Sequence, residues 1–200
     1  MGIKERWYDF LISVGKFALF KFPFKYNVKV IDKNNLPDCS CIIAANHLSY
    51  LDPIFLVTGL DQRLYFIVKH YIAPTENFET SLYDIFVRSI GQITIKEKSL
   101  SKSALKKALD ILRKGEKLVI FPEGTRSYNG KLGKLEKGIA LISELSNQQV
   151  IPVYIHGTFD IWPRHRKIPK YYGNVSIKTV SYTHLRAHET RHDLVCRLLL

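Results

Sequence analysis

Apolar and polar residues alternate with a period of two over 26–31, where Val28 and Val30 share one side, and this predicts a strand. The polar stretch 32–38 then reads as a turn. Residues 41–45 form a short apolar strand that stops at Asn46. A helix is expected over 53–60, a strand over 64–68, a helix over 77–88 and a strand over 92–96. The clearest helix covers 103–114, because Leu105, Ala108, Leu109 and Leu112 recur at i, i+3, i+4 and i+7. Serines open it and Gly115 closes it, where a left-handed cap costs little. A buried strand over 117–121 ends at Pro122, a helix follows over 139–145, and strands are expected over 150–155 and 174–180. Strands alternating with helices predict an α/β fold: a mixed, largely parallel sheet flanked by helices.

The first 24 residues break this pattern. Trp7 to Ile12 and Phe17 to Phe24 are rich in apolar and aromatic residues, but Lys16 and Lys21 interrupt the run and Pro23 ends it. A membrane-spanning helix needs about 20 mostly apolar residues. A helical segment lying in the membrane interface fits better, apolar side down, with its lysines reaching the headgroups. Packing against the domain's own core is the plainer alternative. The charge sharpens the choice. A net +12 with a pI near 9.6 suits an anionic partner: a membrane surface, a phosphorylated substrate or nucleic acid. A nucleic-acid face would interleave massed basic residues with exposed aromatics, whereas here the lysines are scattered. No nucleic-acid partner is expected. Three cysteines, Cys39, Cys41 and Cys196, lack metal-ligand spacing and suit a reducing compartment with buried structural thiols.

Two polar stretches interrupt the apolar pattern: NHLSYLD at 46–52 and FPEGTRS at 121–127. His47 is a natural general base, since an unperturbed imidazole titrates near neutrality. A catalytic imidazole needs an acceptor on one nitrogen so that the other faces the substrate. Asp52 could be that acceptor, although five residues is not a clean helical contact. It could equally cap the helix that begins at Pro53. Asn46 could simply close the turn. In the second stretch Gly124 lets backbone N–H groups approach an oxyanion or phosphate, and Arg126 offers a planar fork for phosphate. Glu123 could orient a hydroxyl or hold the loop. A surface turn with a Glu–Arg pair is the plain alternative. Ser49 and Ser127 read as turn residues rather than nucleophiles, since no G-x-S-x-G elbow is present.

Taken together, the two stretches resemble the glycerolipid acyltransferases, the lysophosphatidate acyltransferase group. NHLSYLD is similar to that family's NHx4D block, and FPEGTRS to its phosphate-site block. Lys137-Gly138, the run from Val150 to Val153, and Gly157-Thr158 with Trp162-Pro163-Arg164 resemble later blocks, so that the likeness covers roughly 20–180. The resemblance implies transfer of a fatty acyl group from acyl-CoA or acyl carrier protein to the sn-2 hydroxyl of lysophosphatidate. His47 would take the hydroxyl proton and Asp52 would orient it. Glu123, Gly124, Thr125 and Arg126 would hold the acceptor, with Arg126 on phosphate. It implies no metal and no cofactor, and a membrane-associated enzyme at the cytoplasmic face. One block departs from the pattern: in Gly91-Gln92-Ile93-Thr94-Ile95-Lys96-Glu97-Lys98 the usual Arg position falls on Glu97. Lys96 then becomes the candidate phosphate cation, a point charge rather than a fork. Glycerol 3-phosphate and other lysophospholipids are the alternative acceptors.

The resulting division is a membrane-interface segment over 1–24, an acyltransferase domain over 25–180 and a tail over 181–200. His184, His188 and His192 in that tail would share one helical face, a possible zinc or copper site taken alone. The tail more closely resembles translated adapter or vector read-through, and no function is assigned to it.

Overall fold

The computed structural model describes residues 10, 13–15, 24–69, 92–95 and 101–180. Its strands are β1 (Lys25–Ile31), β2 (Ile42–Ala45), β3 (Leu64–Lys69), β4 (Gln92–Ile95), β5 (Lys117–Ile120), β6 (Val150–His156) and β7 (Tyr172–Thr179). Its helices are α1 (Asp52–Leu60), α2 (Lys102–Arg113), α3 (Gly138–Ser146) and the single turn α4 (Thr158–Ile161). The strands form one sheet in the order β1-β7-β6-β2-β5-β3-β4. Every pairing is parallel except β6 with β7. This is the mixed, largely parallel sheet expected from the alternation. The expected helix over 77–88, Gly91, the positions 96–98 and the tail 181–200 lie outside the described residues, as does most of the segment 1–24. Residues 10 and 13–15 are helical, with Phe10 and Val14 exposed four residues apart.

β2 is central, and its side chains divide the interior in two. Ile43 and Ala45 face one core, with Phe55, Leu56 and Leu60 of α1 and Val175 and Ile177 of β7. Ile42 and Ala44 face the other, with Ala104, Ala108 and Leu112 of α2 and Ile139 and Ile142 of α3. A parallel strand covered on both faces has no side left for polar residues, which is why 42–45 contains none. The helices also obey the chain's direction of travel. From β2 through α1 the chain moves one way across the sheet, and from β4 through α2 and from β5 through α3 it moves the other. Crossovers of one hand must then lie on opposite faces, as they do.

Local chemistry fixes the helices. The Ser101 hydroxyl accepts from the Ala104 N–H and caps α2, whose buried alanines allow close approach to the sheet. Gly115 closes that helix at φ +84°. In α1, Gly59 faces β7: a Cβ there would lie 2.7 Å from Ile177 Cδ1. One expectation needs correction. Cys39 is exposed, so only Cys41 of that pair is a buried thiol; burial pushes it up to about 12 despite the nearby Lys117 ammonium. The helix α4 was not foreseen, being too short for a periodic signal.

Candidate active site

The loops after β2, β5 and β6 leave the same edge of the sheet, because these strands are parallel. The chain departs from β2 toward α1 on one face and from β5 toward α3 on the other. Such a reversal opens a crevice beyond the carboxyl ends of the strands. NHLSYLD follows β2 and FPEGTRS follows β5, so the topology places both at this crevice.

Asn46 extends β2 by proxy. Its side-chain amide donates to the Ile155 carbonyl at 2.9 Å and accepts from the Ile155 N–H at 2.7 Å. The carboxamide thus copies a peptide unit, β2 stays paired with β6, and the backbone is free to turn at His47. The turn is then held by Asp52. Its Oδ2 accepts from the Leu48 and Ser49 N–H groups, both at 2.7 Å, and lies 2.8 Å from His47 Nδ1. Asp52 is therefore not a cap for the free N–H groups of its own helix: α1 begins at Asp52, and no side-chain cap bond is made there. The carboxylate faces backward, which is how a separation of five residues closes. Asp52 is fully buried and the His47 side chain is 15% exposed. With Nδ1 bonded to the carboxylate, a neutral His47 carries its proton there and presents Nε2 as the basic nitrogen. Its ring stacks on Phe121 at 4.1 Å between centroids and 17° between planes. Asp52 Oδ1 is buried with no hydrogen-bond partner among the described residues.

The second loop grips the backbone of the first. Glu123 Oε1 accepts from the His47 N–H at 2.8 Å, and Oε2 accepts from the Gly133 N–H at 2.8 Å. The Ser127 N–H donates to the His47 carbonyl at 2.7 Å. Both peptide groups flanking the His47 Cα are thereby spoken for by residues of FPEGTRS. Gly124 takes φ +63° and its N–H returns to the Phe121 carbonyl at 3.0 Å, a tight turn suited to glycine. Buried Glu123 thus holds the loop by its carboxylate, while Thr125 is exposed on the turn. The Arg126 guanidinium carbon lies 3.2 Å from the centre of the Tyr50 ring, a cation–π contact that ties it back to NHLSYLD.

Ser49 and Ser127 serve their turns. The Ser49 hydroxyl donates to the Trp162 carbonyl at 2.9 Å, and the Ser127 hydroxyl to the Lys131 carbonyl at 2.6 Å. Sequence reasoning missed Tyr50 and Phe121, whose rings set Arg126 and His47, and Gly133, which shares Glu123. Nothing in the sequence singles out Gly133; in the fold a Cβ there would lie 3.1 Å from Glu123 Oε2. The structure brings together His47, Asp52, Glu123, Gly124, Thr125 and Arg126; Lys96 lies outside the described residues. Among the described residues no group of three or more His, Cys, Asp or Glu side chains gathers as metal ligands. No described helix is long and apolar enough to cross a membrane.

Residues 27–156 match a family model described as acyltransferase. The chain is 28% identical over 181 residues to the chloroplastic 1-acyl-sn-glycerol-3-phosphate acyltransferase LPAT1 of Arabidopsis thaliana, covering 88% of this chain and 47% of that protein. It is 30% identical over 131 residues to the 1-acyl-sn-glycerol-3-phosphate acyltransferase of Bacillus subtilis, covering 65% of this chain and 63% of that one. The chain spans about half the length of the plant relatives it matches, 47% and 49%. A crystal structure of the 1-acyl-sn-glycerophosphate acyltransferase PlsC from Thermotoga maritima superposes with a TM-score of 0.76 at 24% identity, covering 98% of this chain and 78% of that one. That likeness speaks for the fold.

Proposed function

Since the chain belongs to the acyltransferase family, we propose that it moves a fatty acyl group from acyl-CoA or acyl carrier protein to the sn-2 hydroxyl of lysophosphatidate, giving phosphatidate. The observation that carries this reading is the His47 Nδ1 to Asp52 Oδ2 contact at 2.8 Å, in a carboxylate already fixed by two backbone N–H groups. A base aimed in this way does not have to reorganise when charge develops on it. His47 Nε2 takes the proton of the acceptor hydroxyl as that oxygen attacks the thioester carbonyl. The tetrahedral intermediate collapses, the C–S bond breaks, and the imidazolium returns its proton to the leaving thiolate. Asp52 stabilises the imidazolium between these two steps. No covalent enzyme intermediate is needed.

Arg126 is assigned to the acceptor's phosphate. Its planar guanidinium suits two phosphate oxygens, and Tyr50 supports it from beneath. Glu123 acts through His47, since its oxygens are taken by N–H groups. Gly124 and Thr125 border the acceptor, and Lys96 is assigned a share of the phosphate charge. Acceptor and product both carry acyl chains, so the reading also implies a membrane-associated enzyme working at the cytoplasmic face.

The test is acyl transfer by the full chain and its His47→Ala variant, with lysophosphatidate in mixed micelles and labelled acyl-CoA or acyl carrier protein. Phosphatidate formed by the first and not by the second supports base, acceptor and reaction class together. Product from glycerol 3-phosphate or another lysophospholipid alone replaces the acceptor. Absence of product from all of these with a folded chain overturns the proposal.

A further inference from the structure

The loop joining α4 to β7 is basic, exposed and free of acids. From Ile161 to Val180 the chain contains no Asp or Glu, yet it holds Arg164, Arg166, Lys167, Lys170 and, within β7, Lys178. Residues 164–168 and 170–172 are exposed without a break. Among these charges stand Ile168 at 55% exposure, Tyr171 at 58% and Tyr172 at 71%. A solvated loop has no use for three large apolar side chains in the open, and a simple salt-dependent contact has no use for the isoleucine. Basic residues interleaved with an aliphatic and two tyrosines are what the headgroup layer of an anionic bilayer favours: cations pair with phosphates, and amphipathic rings sit at the boundary.

Its position is fixed by the fold. β6 runs toward the site edge, α4 turns the chain there, and β7 starts back from that edge antiparallel to β6. The loop therefore borders the crevice. It touches both halves of the site: the Trp162 carbonyl accepts from Ser49, and Arg164 Nη1 donates to Thr125 Oγ1 at 3.5 Å. β1 is parallel to β7, so β1 also starts at this edge, with Lys25 opposite Tyr172. Phe24, just ahead of it, stacks on Tyr171 at 5.6 Å. The chain thus enters the domain at Phe24, beside the loop.

We infer that the loop 164–172 is a membrane-contact element that seats the site edge on an anionic bilayer surface. This deepens the acyl-transfer reading and rests on it for why that edge should face lipid. The surface itself is argued from charge and exposure.

The test is sedimentation of the full chain with vesicles of phosphatidylcholine alone or with anionic phosphatidylglycerol. The comparison is with a variant carrying Arg166→Gln, Lys167→Gln and Lys170→Gln, and with a second variant carrying Ile168→Ser and Tyr172→Ser. Each basic residue near such a surface is worth about a factor of five in partitioning. The triple variant should therefore bind anionic vesicles on the order of a hundredfold more weakly, with near-UV circular dichroism unchanged. The second variant should weaken binding and make what remains more salt-sensitive. Anionic-vesicle binding that is the same in all three proteins would overturn the inference. So would loop-dependent binding to an RNA or DNA oligonucleotide with none to vesicles. Vesicle binding needs no turnover, so a failed acyl-transfer assay and a failed binding assay point to different errors.

Discussion

The NHLSYLD corner and the loop 164–172 lie side by side at one edge of the sheet and use polar residues in opposite ways. In the corner, Asn46, Ser49 and Asp52 are buried and each hydrogen-bonds protein. Asn46 completes a strand, Asp52 closes a turn, and Glu123 from the neighbouring loop secures the His47 backbone. In the loop 164–172 the charges are in solvent and the backbone does the holding: the Lys170 N–H bonds the Ile161 carbonyl, and Tyr26 bonds the Lys170 carbonyl. The contrast shows what each region can tolerate. A base must be aimed before its substrate arrives, so its surroundings are spent on orientation. A surface meeting a fluid partner gains from charges that remain free to adjust.

The sharpest way to break this contrast is at its centre. His47→Ala should lower acyl-transfer turnover about a thousandfold, within the usual reach of a positioned general base. Its thermal midpoint should stay near that of the parent, since the side chain is partly exposed and its loss leaves the corner's backbone bonds in place. A midpoint lower by ten degrees would mean that the imidazole supports the fold rather than the chemistry. Next in size is Glu123→Ala, which strips acceptors from the buried His47 and Gly133 N–H groups. Urea titration should show a loss of about 1–3 kcal/mol for the unsatisfied donors. Turnover should fall as well, because the loop that grips His47 is loosened. Stability unchanged by this substitution would remove Glu123 from the role of clamp.

Much of this architecture is legible in the chain before any coordinates. Apolar runs at 42–45 and 118–120 mark strands covered on both faces, and the period of α2 is plain from Leu105, Ala108, Leu109 and Leu112, of which Ala108 and Leu112 are buried. Such signals are local, and burial repeats them every two or four residues. The site is different. Asp52 is visible as an acid near His47, but its backward-facing carboxylate depends on a corner that no periodicity encodes. The stacking of Phe121 on His47 joins residues more than seventy positions apart, and Glu123 reaches one partner across a similar span. The reversal of β7 against β6 was also hidden, since an alternating strand reads the same in either direction. Its geometry shows at Gly157, which takes φ +91° and where a Cβ would lie 2.0 Å from the Asn174 carbonyl oxygen of β7.

A smaller effect should come from the tether between the core and the exposed loop. Tyr26 is buried beneath Phe24 and Phe55, and burial raises its phenol above the ordinary tyrosine range, with Tyr171 adding to the rise. A raised phenol stabilises the fold fully below the ordinary tyrosine value near 10, and that contribution is lost as pH climbs toward the raised one. Tyr26→Phe should cost about 1 kcal/mol near neutrality for the lost bond to the Lys170 carbonyl. Between pH 10 and 11.5 the variant's stability should decline less steeply than the parent's. Parallel declines in urea midpoints across that window would show that Tyr26 does not govern the alkaline limb.

The smallest effect on stability is expected where the charge is densest. Neutralising Arg166, Lys167 and Lys170 together removes three charges from a segment without acids, and their side chains stand in solvent. Substitutions of this kind, away from caps and buried partners, usually shift stability by no more than about 0.5 kcal/mol. Relief of like-charge repulsion gives the shift a favourable sign, greatest at low salt. A urea midpoint that stays level or rises slightly, and converges on the parent's as salt is added, would mark these residues as held in reserve from the fold. A loss of 2 kcal/mol or more would mean that they brace the α4–β7 connection. The two regions would then differ in exposure but not in purpose, and the loop's bare charges would need an internal explanation before an external partner was sought for them.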